Sequence, residues 1–352
     1  MKIEENVSLA QFTTLKIGGP ARYFCRVESE EDLLEGVRFA RERELPLFIL
    51  GGGSNLVVRD SGFNGLVLQI AIEGHRGYAW DDSDFMLYQV GAGVEWDEFV
   101  EDICRLEECA GVECLAGIPG TVGGSPVQNI GAYGQEVSQT IWAVRALDLE
   151  VQDFVELKAA ECGFGYRRSI FNTITPGRYI VTRVDFQFKK NAKVKLNYVD
   201  LQRHFDGKSN PTPMEVYVAV RMIRAGKGML IDPETAGPDE RSAGSFFKNP
   251  VVSARVVKDI LETLSADEGT MPHWPTEDGR VKLAAAWLIE HAGFKKGYAL
   301  GRVGISSKHT LALVNRTGDA TCEELLRLRD LIVLTVEQRF GVTLVMEPVM
   351  LG

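Results

Sequence analysis

Apolar positions recur along this chain with two periods, and the switches between them mark its elements. Across residues 29–44, Leu33, Leu34, Val37 and Ala40 fall on one face behind a capping Ser29 and an acid three places on, which predicts an amphipathic helix. Pro46 opens a short buried strand, 47–50, and a second apolar stretch follows at 56–58. Residues 95–106 predict a helix, and 179–188 alternate like a strand. In the last third, 254–264 and 282–291 predict helices, 310–314 a strand, 322–339 a long helix ended by Gly341, and 343–351 a final strand carrying Glu347. The stretch 232–240, rich in Pro, Gly and acids, predicts a mobile loop between a middle and a carboxy-terminal domain. No internal repeat or low-complexity tract interrupts the pattern.

Periodicity fails in two glycine-rich places. Gly51-Gly52-Gly53-Ser54-Asn55 forms a turn between two extended segments with no helix after it. It lacks the Gly-Lys-Ser/Thr of a Walker loop, and Leu56 stands where a dinucleotide fingerprint has its third Gly. A plain β-turn satisfies the same residues. The second place, 111–134, contains Gly117-Ile118-Pro119-Gly120-Thr121-Val122-Gly123-Gly124-Ser125-Pro126 and then Gln128-Asn129-Ile130-Gly131-Ala132-Tyr133-Gly134. Its glycines are too dense and its neighbours too polar for a core element, and long irregular segments of this kind are usually functional. Glycine turns bring backbone N–H groups close to an anion, so an acidic protein can hold a diphosphate this way.

Composition narrows the reading. A chain of 352 residues, 45% apolar and 25% charged, can bury the cores of two or three domains. A net charge of −10 argues against a surface built to neutralise nucleic-acid phosphates. The first ten residues are acidic where a signal peptide is basic, and no apolar run reaches the roughly 18 residues that span a bilayer. A cytoplasmic protein that binds neither nucleic acid nor membrane is expected, and a monomer. The six cysteines, Cys25, Cys104, Cys109, Cys114, Cys162 and Cys322, are too few for a disulfide scaffold, and no His lies near the three that cluster. Inert thiols and no metal site are expected.

The two glycine runs resemble the FAD-binding domain shared by the UDP-N-acetylenolpyruvoylglucosamine reductases and the vanillyl-alcohol-oxidase type of flavoenzymes. Ile118-Pro119-Gly120 followed by 128–134 points to the reductases, as do Thr14-Leu15-Lys16-Ile17-Gly18-Gly19, Phe164-Gly165-Tyr166-Arg167-Arg168-Ser169-Ile170-Phe171, the segment 243–250 and Met346-Glu347-Pro348. The likeness spans nearly the whole chain. It implies an α+β protein: FAD-binding subdomains at 1–68 and 69–225, a substrate-binding domain at 226–341, and the last strand, 342–352, packing near the first subdomain. It further implies FAD held by Gly51, Gly53, Ser54 and Asn55 and by Gly117, Ile118, Pro119, Gly120, Gly123, Ser125, Gln128, Asn129, Gly131, Ala132 and Tyr133. NADPH is then the co-substrate and a UDP-sugar enolpyruvyl ether the substrate.

Such a reaction needs hydride at one carbon, stabilisation of the enolate that forms, and a proton for the neighbouring carbon. Arg167 suits the enolate and its carboxylate because its guanidinium is a fixed, permanently charged fork. A surface ion pair is its bland alternative, but Phe164, Tyr166 and Phe171 are placed to hold its segment down, and the resemblance sets the family's catalytic Arg here. Ser245 stands between Gly244 and Phe246-Phe247, one hydroxyl with a flexible neighbour and two anchors. An isolated Ser more often ends a turn; the resemblance makes this one the proton donor. Glu347 sits in an apolar strand where a carboxylate is costly without a partner. A structural salt bridge accounts for it equally well until the resemblance assigns it to the enolic intermediate.

By the same resemblance Tyr198, Arg224, Lys227 and Asn249 contact the UDP-sugar diphosphate, and Tyr198 marks the type I reductases. His309 either lines the nucleotide pocket or faces solvent at a strand start. The chain departs from the family pattern at Gly124, Cys114, Gly228-Met229 and Arg241-Ser242. A rival is a flavin oxidase of an alcohol or sugar with the same FAD domain; such enzymes often tether flavin to a His, and neither glycine run contains one. A non-catalytic flavin-binding module leaves Arg167, Ser245 and Glu347 unexplained.

Overall fold

The structure is a computed structural model that describes every residue except 80–83, 107–108, 209, 232–236, 265–268 and 277. The chain forms two compact units: 1–7, 21–53 and 64–226 in the first, and 8–20, 54–63 and 227–352 in the second. The second unit thus takes in two amino-terminal segments besides the carboxy-terminal third.

In the first unit, one sheet has the strand order Ile3–Ser8, Pro20–Val27, Phe63–Ile70, Leu47–Leu50, with the last two parallel. Helix α1, Glu30–Glu42, begins where the Ser29 side chain accepts the Asp32 N–H, and it lays Leu33, Val37 and Ala40 into the core with Leu66 and Leu68. Leu34, expected on that face, is 44% exposed instead, because it lies one position beyond the 3.6-residue stripe. The second sheet is antiparallel in the order Asp153–Lys158, Ile141–Asp148, Tyr179–Lys189, Phe85–Gly91, His75–Ala79. Helix α2, Trp96–Arg105, covers it: Phe99 lies 4.8 Å from Phe186 and 6.0 Å from Trp96 between ring centroids. Helices α3, Val199–His204, and α4, Pro213–Gly226, complete the unit, and one continuous core joins both sheets.

In the second unit, α5 is Ala254–Thr263, α6 is Ala285–His291 and α7 is Cys322–Phe340, which Gly341 ends in a left-handed cap. The helix expected over 282–291 is divided: Val281–Leu283 is a strand between Val251–Val252 and His273–Pro275, and α6 starts only at Ala285. A short apolar run carries no period of its own, so pairing partners decide it. The strand expected at 310–314 falls at Leu313–Asn315. The one expected over 343–351 is reduced to Val349–Leu351, parallel to Leu56–Val58. Of the loop expected at 232–240, residues 232–236 lie outside the described residues, and Pro238–Glu240 is a single turn closed by the Gly237 N–H on the Glu240 carboxylate, 2.7 Å. No helix among the described residues is long and apolar enough to cross a membrane.

Phe99→Ala should lower unfolding free energy by about 3–5 kcal/mol, read from a denaturant midpoint shift at unchanged m-value. The Arg178 guanidinium, 2.7–3.0 Å from Asp148, holds that buried carboxylate below its ordinary range. A depressed carboxyl pKa adds stability that is present above about pH 4 and lost as pH falls further. Arg178→Ala should therefore flatten the acid limb of the stability curve; an unchanged limb assigns acid sensitivity elsewhere.

Candidate functional site

The strand Leu47–Leu50 delivers Gly51 and Gly52 against the second glycine run inside the first unit. A Cβ on Gly52 would lie 2.5 Å from the Gly120 Cα, so the two chains meet backbone to backbone and only glycine fits. Beside this contact Thr121 is 9% exposed, and its Oγ1 is buried with no hydrogen-bond partner among the described residues. A cavity of about 330 Å³ opens here, lined by Gly51, Gly52 and Thr121 together with Glu95, Glu98 and Arg26. Burial, with Glu98 adding to it, raises the Glu95 carboxyl above its ordinary value.

The run is held at its start by a clamp on Gly117, whose φ is +67°. Its N–H donates to the Asp97 carboxylate at 2.5 Å, and its carbonyl accepts from Arg224 Nε at 3.0 Å. Arg221 also pairs with Asp97. Tyr217, Arg221 and Arg224 stand four and three residues apart on α4, so one face of α4 meets Asp97 of α2 and the Gly117 carbonyl. A second anchor is Glu113, 1% exposed, which accepts from the Gly111 and Val112 N–H groups and from the Gln135 amide.

Several residues expected at the cofactor are used within the protein. The Val122 and Gly123 N–H groups donate to Val94 and Ala92 carbonyls, both at 2.9 Å, so those amides stitch the run to the turn that follows the strand Phe85–Gly91. The Ser125 hydroxyl donates to the Val122 carbonyl at 2.7 Å. Asn129 Nδ2 donates to Glu136 and to the Gly165 carbonyl, and its Oδ1 accepts from the Ser138 N–H. Gly131–Ala132 pairs with Gln135–Glu136 in a short hairpin whose Tyr133 meets Tyr198 edge to face, 5.3 Å between centroids. Tyr198 therefore reaches the end of the glycine run.

Arg167 occupies a two-residue turn closed by paired Gly165 and Arg168 backbones, 3.0 and 3.1 Å. Its φ of +54° is a left-handed conformation that costs a non-glycine residue about 1–2 kcal/mol. Its Nη2 donates to the Gly131 carbonyl at 3.4 Å. Phe171 is buried as expected, but Tyr166 is 45% exposed and does not hold the turn down.

Ser54, Asn55, Lys227, Ser245, Asn249, His309 and Glu347 belong to the second unit. The Glu347 N–H donates to the Phe246 carbonyl and the Lys248 N–H to the Val345 carbonyl, both at 2.9 Å. Ser245, half-buried, is thus one residue from the bond that fixes Glu347. The Phe246 N–H donates to the Leu311 carbonyl, and Leu311 N–H donates to His309 Nδ1 at 3.1 Å, which brings His309 to the same paired segments. Burial, then Lys227 and Lys296, pushes His309 down to about 4, so it is a neutral ring at pH 7. Asn249 Oδ1 accepts the Ala285 N–H at the start of α6, 3.0 Å, and the Asn55 carbonyl accepts from Val349.

Reading the residues alone missed Thr121 and Asp97. Thr121 was inside the glycine run, but a sequence does not show that its hydroxyl is buried without a partner. Asp97 was masked by the helical pattern around it.

The backbone cradle with one unmatched buried hydroxyl suits a polar dinucleotide, and comparison with known proteins agrees. Residues 21–150 match the FAD binding domain model, and 236–351 match the model for the UDP-N-acetylenolpyruvoylglucosamine reductase C-terminal domain. The chain is 48% identical to the UDP-N-acetylenolpyruvoylglucosamine reductase of Thermobifida fusca (strain YX), over 99% of this chain and 97% of that one. It is 43% identical to the reductase of Streptomyces coelicolor, over 98% and 89%. The crystal structure of UDP-N-acetylenolpyruvylglucosamine reductase from Thermus caldophilus superposes with a TM-score of 0.67 at 27% identity, covering 100% of both chains.

Thr121→Val should leave the stability of the flavin-free protein unchanged or slightly raised, since no protein hydrogen bond is lost. It should weaken FAD binding about 5- to 10-fold, a net hydrogen bond of about 1 kcal/mol, by titration of the flavin-free protein. Equal affinity would show that the hydroxyl serves no ligand.

Proposed function

The chain belongs to the UDP-N-acetylenolpyruvoylglucosamine reductase family and is an FAD-containing oxidoreductase, and from that membership we propose that it reduces the enolpyruvyl ether of UDP-N-acetylglucosamine to UDP-N-acetylmuramate with electrons from NADPH. The product is a peptidoglycan precursor. What supports the reading is the backbone pairing of 246–248 with 345–347, which brings the segments of Ser245 and Glu347 side by side in the unit that matches the reductase domain.

The residues of the two glycine runs would hold the flavin, which once reduced by NADPH would supply the hydride for the methylene carbon of the enolpyruvyl group. Negative charge then spreads from the neighbouring carbon into the carboxylate. Arg167 binds that carboxylate through its guanidinium fork and stays charged throughout. Glu347 acts on the same enolic group, and the Ser245 hydroxyl gives its proton to the ether-bearing carbon. A serine is a weak acid, so the step relies on a strongly basic carbon and on cations that ease alkoxide formation, for which Lys227 and Lys248 are suited by charge.

Tyr198, Lys227, Asn249 and the neutral His309 contact the sugar nucleotide. Arg224, whose Nε is committed to Gly117, serves it through the loop. Gly51, Gly53, Ser54 and Asn55 with the 117–133 run enclose the cofactor, Thr121 among them. The division into cofactor halves at 1–68 and 69–225 and a substrate domain at 226–341 belongs to the same reading, as do a monomeric state and a cytoplasmic location.

Ser245→Ala should leave NADPH-driven flavin bleaching intact and slow flavin reoxidation by the sugar nucleotide about 100- to 10,000-fold in stopped flow. Unchanged reoxidation would remove Ser245 from the step.

A further inference from the structure

Asn129, expected at the cofactor, has its side chain engaged elsewhere, and the arrangement is directional. The Glu136 carboxylate only accepts, so the Asn129 Nδ2 must face it, at 2.8 Å. The same nitrogen donates to the Gly165 carbonyl at 3.2 Å, while Oδ1 takes the Ser138 N–H at 3.1 Å. The Gly165 carbonyl also accepts the Arg168 N–H that closes the turn, 3.1 Å. Asn129 therefore holds the first residue of the turn on which Arg167 stands.

That turn needs holding. Arg167 has φ +54°, and such a backbone persists in a non-glycine residue only where its surroundings over-determine it. Burial does not do so, since Tyr166 and Arg168 on either side are exposed. Hydrogen bonds do: besides Asn129 to Gly165, the Ser169 hydroxyl donates to the Val127 carbonyl at 2.5 Å and Arg167 Nη2 to the Gly131 carbonyl at 3.4 Å. Asn129 is itself left-handed, φ +46°, a conformation that Asn tolerates better than other non-glycine residues.

We propose that Asn129, oriented by Glu136, is a positioning residue for Arg167, linking the glycine run to the turn that presents the guanidinium to the substrate carboxylate. The proposal rests on the reading of Arg167 given above.

Its test uses the flavin-loaded protein. Asn129→Asp keeps the size, the tolerance for left-handed backbone and the acceptor for Ser138, and it removes the donors to Gly165 and Glu136. Flavin content and spectrum should be retained, while the sugar-nucleotide concentration that half-saturates flavin reoxidation rises about 10- to 100-fold. On an Arg167→Ala background the same substitution should add no further rise. Loss of flavin from folded protein, or an equal rise on that background, overturns the positioning role while Arg167 keeps its own. Arg167→Ala that saturates like the parent refutes the reading of Arg167 and this proposal with it. Should Asn129→Asp fail to fold, Asn129→Gly decides: it keeps the left-handed backbone without strain and removes the donor to Gly165, and it should raise half-saturation in the same selective way. No rise, or a rise that persists without Arg167, overturns the proposal.

Discussion

The first unit is organised around a contact that admits no side chain. Gly52 and Gly120 approach so closely that any Cβ on the former would meet the Cα of the latter at 2.5 Å. Two irregular segments far apart in sequence can therefore share one wall, but neither has a period or a core of its own to hold it there. Their order is supplied from outside: by Asp97 and Arg224 on Gly117, by Glu113 on 111–112, and by the carbonyls of Ala92 and Val94, in the turn after the strand Phe85–Gly91, on 122–123. The polar groups that hold the loop are consumed in doing so, and the Thr121 hydroxyl beside the contact is left over.

The second unit solves a different problem by pairing. Ser245 and Glu347 are about a hundred residues apart in sequence, and the segments that carry them are brought together by backbone hydrogen bonds. Short pairings of 246–248 with 345–347, and of Phe246 with Leu311, do this over buried Phe246 and Phe247. Next to these segments lies His309, whose ring is kept neutral by burial and two nearby lysines.

Arg167 shows how the polar network extends from the glycine run into a neighbouring turn. A strained residue on an exposed turn would relax if left alone. Contacts from Val127, Asn129 and Gly131 hold it, so the loop expected to serve the cofactor also shapes the segment expected to serve the substrate.

Long periodic elements are legible in the sequence: α1, α2, α5 and α7 fall within a few residues of their predicted spans, because each buries one stripe of side chains that repeats in the sequence. The glycine runs and Arg167, Ser245 and Glu347 stood out through the density of motifs and a family resemblance. Short apolar runs did not declare themselves: 281–283 became a strand and 343–348 mostly did not, since a few residues have no period and follow whichever backbone pairs with them. The use of each polar group was equally invisible. Ser125 and Asn129 look like cofactor ligands in a glycine-rich run, yet their side chains are spent on carbonyls, a carboxylate and a backbone amide. Sequence by itself determined which chemical groups this protein owns and which stretches bury a face. Tertiary structure alone decided which of those groups remain uncommitted, because a hydrogen bond between residues distant in the chain leaves no mark on the order of either.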